Sequence, residues 1–340
     1  YTGPVIAVVM GASAFNVSAA DVTAEPGYLM LAAGEAEAEG EAGKKGYGEG
    51  EAEGKAEGEG EGARRRGAGG CNQGMTGPRR SVASAIRDAL LTGEAKAKVF
   101  AARQVARDWR LGRLDFVFEV TMPDRPEWPD RLELLAPGAM PRRGKMGSER
   151  NRAALWHALA HIEFVAIDLA LDMAGRFGEA MGPDFVSDFL EVAADEAMHF
   201  ALLSRKLDSL GWSYGALPAH DGLWSAAQDT AHDVAARLAI VPMVLEARGL
   251  DVTPATLARV RAQGDENGAK ILERILDDEI RHVAAGSKHF HAICEMRAQN
   301  PQKTWQNLVG MHFAGGLKPP FNDSARFAGG LPRDYYAGIA

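Results

Sequence analysis

Six residues carry a spacing that occurs twice. Glu163 is followed 33 residues later by Glu196, and His199 comes three positions after that. Glu246 is followed 33 residues later by Glu279, and His282 comes three positions on. The second set is the first displaced by 83 residues at all three positions. Residues three apart share one face of an α-helix. Glu196 with His199, and Glu279 with His282, can therefore each address one ion. A glutamate from each of two helices, plus Glu-x-x-His from each of two others, is the ligand set of a dinuclear metal site inside a four-helix bundle. Four carboxylates and two imidazoles offer mostly hard oxygen donors with one nitrogen per metal. That set suits iron first and manganese second, and it disfavours a closed structural zinc site. Four negative charges balance two divalent ions. Without metal the cluster repels itself, and some carboxylates must take up protons.

The chemistry expected of two such ions is redox chemistry. They would bind and polarise O2 or peroxide, and the product would be an oxidised or hydroxylated small organic substrate. An electron donor is a further partner of such a reaction. The alternative is a protein that handles iron, or binds metal, with no organic substrate. Five more residues are candidates for holding the ligands in place: His161, His289, Asp195, Asp278 and Arg248. Asp195 and Asp278 each precede a motif glutamate and sit about 100° round the helix from it, where they can orient histidines of neighbouring helices. His161 lies two residues before Glu163 and His289 seven after His282. Arg248, two residues from Glu246, can pair with a carboxylate. Phe164 and Phe200 flank two of the ligands, and no tyrosine is near any of them in sequence.

Four helices must position these groups, so the fold is expected to be all-α. The first starts near Ser148 and carries Trp156, Leu159, Glu163, Ile167 and Ala170 on one apolar stripe. A carboxylate in such a stripe is costly to bury unless paired or bound to metal. Gly182-Pro183 makes the turn to the second, with Asp184 as its N-cap and Gly211 as its stop. The third follows the loop GWSYGALPAHDGLW, with Asp221-Gly222 as a candidate start and an end near Arg248. Pro242 should kink it one turn before Glu246. If the second and third helices run parallel, this loop is tight for its length. Thr253-Pro254 should open a separate short helix. The fourth motif helix runs from about Asp265 to Gln299 and carries Ile271, Ile275, Glu279, His282, Gly286 and His289.

Around residues 148–299 the rest of the chain divides into four parts. Residues 1–33 are weakly patterned. Residues 34–80 form a Gly/Glu/Ala-rich insert too poor in apolar residues to build a core. Residues 81–147 give two N-terminal helices and a proline-rich strap over 121–144. Residues 300–340 form an irregular tail that should pack on the domain through Phe321 and Phe327. The net charge of -8 argues against a broad nucleic-acid-binding surface and leaves a local basic patch open. Cys71 and Cys294 read as free thiols. No apolar run is expected to cross a membrane, and Tyr1 to Met10 has no basic flank of a signal peptide, so a cytoplasmic location is expected.

The stretches HALAHIEFVAIDLALD, EVAADEAMHFALL, VPMVLEARGLDVTP and ILDDEIRHVAAG resemble the ferritin-like superfamily of diiron carboxylate proteins. With LPAHDGLW, PRRGKMGSE and PPFNDSAR they are most similar to its domain-of-unknown-function family 455, over about Ser81 to Leu331. The superfamily resemblance implies a four-helix bundle in which the six named residues hold two metal ions. It implies no particular reaction, because the superfamily spans oxygenases, peroxidases, catalases and iron stores.

Overall fold

The computed structural model describes residues 79–340 apart from 137–138 and 142–147. Cys71, residues 1–33 and the insert up to residue 78 lie outside the described residues. The described chain is mostly helical. A two-residue parallel pairing of β1 (Arg80–Ser81) with β2 (Leu114–Asp115) ties the start of the N-terminal unit to its end.

Between them lie α1 (Val82–Leu90) and α2 (Ala95–Arg110). Ser81 caps α1 by accepting from the Ser84 amide, and Val82, Ile86, Ala89 and Leu90 bury the apolar stripe. Glu94 caps α2, accepting from the amides of Lys96 and Ala97. The proline-rich strap follows, and in its described residues one bridge joins Leu134 to Ala219. Prolines cannot supply the donors that a helix or sheet would use for these carbonyls. Side chains supply them instead. Lys98 donates to Glu127 O at 2.8 Å, Arg176 to Pro123 O at 2.9 Å, and Gln228 to Asp124 O at 3.1 Å.

The first motif helix, α3 (Glu149–Met181), is capped by Ser148. Over one 18-residue window it is long and apolar enough to cross a membrane by length and composition. The expectation that no such run exists is therefore corrected. Inside the fold, 83% of that window is buried, as a core helix would be. Gly182, at φ +93°, turns the chain into α4 (Pro183–Ser209). Gly182 itself is the N-cap and Pro183 the first helical residue, so Asp184 sits in the first turn.

The third motif helix departs most from its sequence reading. Gly222–Asp229 is a separate short helix, α5. The long helix begins only at α6 (Val234–Ile240), capped by Asp233. The later start lengthens the connection from α4. Pro242 has no amide to return to the preceding turn, and the chain answers with a π-helical turn, Val241–Glu246. Its last residue is the motif glutamate Glu246. Gly286 of α8 (Glu266–Met296) lies against the Pro242 ring, where a Cβ would collide with it. The helix then continues as α7 (Ala247–Ala262) straight through Pro254, so Thr253-Pro254 opens nothing. Pro254 leaves the Leu250 carbonyl without its helical donor, and the Asn322 side-chain amide donates to it at 3.2 Å.

Asp265 caps α8, accepting from the Gly268 amide at 2.9 Å. The tail is less irregular than expected. Asn300 caps α9 (Pro301–His312), with Pro301 at its first position, and α10 (Asp323–Ala328) follows. Trp305, Leu308 and Val309 give α9 the buried stripe that makes it worth forming. Arg326 fastens the tail by a two-pronged bond to Asp251 at 2.8 and 2.6 Å. Phe321 is partly buried, but Phe327 is 71% exposed and does not anchor the tail.

Candidate metal centre

The six motif residues come from α3, α4, the π turn and α8, and all six side chains are buried. Donor atoms of Glu163, Glu196, His199 and Glu279 lie within 4.8 Å of one another. His199 Nδ1 is 3.3 Å from both Glu163 Oε2 and Glu196 Oε2. His282 Nδ1 is 2.9 Å from Glu196 Oε1 and 3.6 Å from Glu279 Oε2. The two imidazole centroids are 5.8 Å apart. Glu196 thus lies between both histidines. Glu246 stands on the flank, close enough to feel the charges of Glu279, His282 and Glu196.

The two aspartates are crossed. His199 Nε2 is 3.1 Å from Asp278 of α8, and His282 Nε2 is 3.5 Å from Asp195 of α4. Each histidine therefore turns Nε2 outward to the aspartate that precedes the other helix's motif glutamate. Each turns Nδ1 inward to the carboxylates. A proton held at Nε2 by aspartate leaves the Nδ1 lone pair free, which is how protein histidines are prepared for a metal.

The electrostatics are strained. Burial and the neighbouring Glu196 charge push the Glu163 carboxyl well above its ordinary range. Burial and Glu279 do the same to Glu246, and burial and Glu196 raise Glu279. Burial also opposes the Glu196 carboxylate, but the imidazoles of His282 and His199 outweigh it and hold this group low. Burial opposes charge on the histidines too. Asp278, Glu163 and Glu196 overcome it at His199, and Glu196 and Asp195 overcome it at His282, so both imidazoles are held strongly protonated. The cluster holds extra protons in place of other cations. Glu196 Oε1, Glu279 Oε2 and His282 Nδ1 are buried and make no hydrogen bond among the described residues, although Oε1 and Nδ1 are 2.9 Å apart. They are in contact but not aligned for a hydrogen bond. Unsatisfied buried donors and acceptors of this kind are rare in folded proteins. Metal fits these residues: it would replace the protons and take the unpaired lone pairs.

Three sequence candidates are not brought to the cluster. His161 is on the far side of α3, with Nδ1 2.9 Å from the Tyr214 hydroxyl and Nε2 2.9 Å from His220 O. Burial lowers its pKa to about 3, so it is neutral. His289 bonds Asp188 at 2.7 Å between Phe185 and Phe189. Arg248 turns to the tail carbonyls of Lys318 and Pro320, at 2.7 and 3.1 Å. Sequence reading also missed Tyr214, the partner of His161 on that far side. Its ring centroid lies 5.2 Å from that of Phe164 and 5.0 Å from that of Phe200, the rings beside Glu163 and His199. Nothing in the surrounding loop residues marks it. A hollow of about 220 Å³ between α4 and α8 reaches His282, lined also by Val192, Asp195 and Arg281.

No solved structure matches the chain. A Haemophilus influenzae protein described as uncharacterized is 41% identical over 223 residues, which is 64% of this chain and 77% of that protein. Residues 91–337, which include every helix of the centre, match the profile of the family described as "Protein of unknown function (DUF455)", and the chain belongs to that family.

Proposed function

We propose that the chain is a ferritin-like four-helix bundle holding two metal ions, iron or manganese, between Glu163, Glu196, His199, Glu246, Glu279 and His282. The observation that carries this reading is the crossed Asp–His–Glu arrangement around glutamates that, among the described residues, pair with no protein cation other than imidazolium. Loaded with metal, the centre would supply oxidising power from O2 or peroxide toward an organic substrate. The protein's own part is positional. Asp278 and Asp195 hold the histidines with Nδ1 inward. Phe164, Phe200 and the surrounding apolar side chains keep water out. The π turn sets Glu246 on the flank of the group.

One observation favours a second reading, ion handling without an organic substrate. The hollow at His282, about 220 Å³, is smaller than the 300–1,000 Å³ of usual small-molecule pockets. Anaerobic loading with ferrous ion, metal analysis and an optical spectrum before and after air test both readings. Two ions per chain are expected, with a spectral change on oxidation. Saturation at one ion with all six side chains intact overturns the dinuclear assignment. Two ions that never change redox state would make the metal structural. Oxidation that proceeds fully with no organic additive supports ion handling.

A further inference from the structure

The outer face of α2 is unlike the rest of this acidic chain. Lys96, Phe100, Arg103, Arg107 and Arg110 recur at steps of four, three, four and three residues, which is one stripe of a helix. All five are exposed, Phe100 to 70%. The opposite stripe, with Val99, Ala102 and Val105, is buried. A phenylalanine so exposed among arginines contributes nothing to the core.

Phe100, Arg103, Arg107 and Arg110 of this stripe form one bank of a groove between α2 and α4 of about 1150 Å³, with Lys96 at the end of the stripe outside its lining. Trp109 lines it, its ring held by a bond from Nε1 to Ser187 Oγ at 2.9 Å. The α4 bank carries two acids, Glu191 and Asp195, and Arg281 already lies 3.9 and 3.1 Å from them. The arginines are not answered in the same way. Arg107 leans on Asp108 at 3.6 Å, and Asp108 is shared with Arg113. Lys96, Arg103 and Arg110 make no ion pair among the described residues.

We propose that this groove holds a single strand of nucleic acid, with phosphates along the arginine bank and a base stacked on Phe100. A track of cations interleaved with an exposed aromatic ring is what sequence-tolerant binding of single strands requires. Guanidinium groups present paired donors to phosphate oxygens. The stripe from Lys96 to Arg110 extends about 21 Å at 1.5 Å per residue, which is room for several nucleotides. The groove also exceeds the ~1,000 Å³ upper end of small-ligand pockets. An acidic protein segment would satisfy the charges but would leave the exposed Phe100 without a role. Binding here stands on this face alone and is independent of the metal reading. The two are adjacent, because Glu191 and Asp195 also line the hollow that reaches His282.

Fluorescence anisotropy of the full chain with labelled 12-nucleotide single-stranded RNA and DNA tests the inference, with and without added metal. Saturable binding at low salt is expected, weakening as salt rises because counterions are released. The triple variant Arg103→Glu/Arg107→Glu/Arg110→Glu should lose at least tenfold in affinity. The triple Arg→Lys variant should keep most of it, and circular dichroism should show both folded. Phe100→Ala should cost about tenfold with charge unchanged. No binding at low salt overturns the inference, as does full binding by the folded triple-Glu variant. Binding of a polyglutamate peptide as tight as that of the oligonucleotides also overturns it and makes the occupant an acidic protein segment.

Discussion

Two layers of buried acid lie on one helix, within nine residues of each other. In the lower layer, Asp168 takes a bond from Lys98 Nζ at 2.6 Å and from Trp128 Nε1 at 2.8 Å. One turn on, Asp172 takes Arg176 at 2.8 Å and Arg237 at 2.5 Å. Every one of these acids has its own cation, and both charges of the Lys98–Asp168 pair are fully buried. In the upper layer, Glu163 clusters with Glu196 and Glu279, Glu246 stands beside Glu279 and Glu196, and among the described residues two imidazoles are the cations that face them. The desolvation cost of a buried ion is the same problem in both places. The lower layer solves it with protein cations and fastens the strap to the core. The upper layer leaves it open to a cation from outside. A buried acid is therefore not by itself a sign of function; a buried acid whose neighbours are other acids is.

The largest test of this contrast is Lys98→Met. It strands Asp168, whose carboxyl burial already raises to about 6 despite the lysine. The variant should lose about 3–5 kcal/mol in urea unfolding. Its metal stoichiometry should match the wild type, because nothing in the upper layer changes.

The pH dependence separates the layers next. In the metal-free protein Glu163, Glu246, Glu279, His199 and His282 all hold protons more tightly than in the unfolded chain. Their contribution is full below the unfolded pKa values and is lost as pH rises through the folded ones. Each such proton is worth a slope of about 1.4 kcal/mol per pH unit while it titrates. Apo stability should begin to fall as pH rises above about 4.5, where the unfolded glutamates lose their protons, and fall further above about 6.5, where the unfolded histidines lose theirs. Below 6.5 His161 acts oppositely, since its folded pKa of about 3 means that only the unfolded chain takes up that proton. Metal-loaded protein should show no such fall above pH 7, because metal has replaced the protons. Melting curves of both forms between pH 7 and 9 decide it, and a flat apo profile would count against a proton-holding cluster.

Removal of an orienting aspartate is a smaller change. Asp278→Asn should weaken metal binding about 10- to 100-fold by isothermal titration. Asp195→Asn should do less, because its bond to His282 is 3.5 Å against 3.1 Å for Asp278 to His199. Equal affinity in Asp278→Asn and wild type would remove the histidine-positioning role.

The smallest effect distinguishes the glutamates from one another. Glu279→Gln should stabilise the apo-protein by on the order of 1 kcal/mol, the scale of one pKa unit, by relieving a carboxyl that burial and Glu196 crowd. Glu196→Gln should destabilise it, because the carboxylate between the two imidazoles is the one the cluster wants charged. Sequence alone would treat Glu196 and Glu279 as equivalents. Apo melting that moves the same way in both variants would restore that equivalence.

The sequence by itself determined which residues share a helix face. Helical periodicity is local, so the doubled spacing put Glu163, Glu196, His199, Glu246, Glu279 and His282 on inward faces, and Asp195 and Asp278 beside them. Helix starts near Ser81, Ser148 and Asp265 were legible for the same reason, since each depends on a few adjacent residues. Tertiary structure alone decided the rest. Pro242 and Pro254 look alike as helix breakers, yet one makes a π turn against Gly286 and the other is carried through a helix by Asn322, 68 residues away. Tyr214 reaches the Phe164–Phe200 pair from a loop, and Lys98 finds Asp168 across 70 residues. His161 and Arg248, near the ligands in sequence, turn away because a helix points neighbours to different sides. Local pattern fixes faces and spacing. Which partner waits across the gap depends on contacts far apart in sequence, and no local pattern records them.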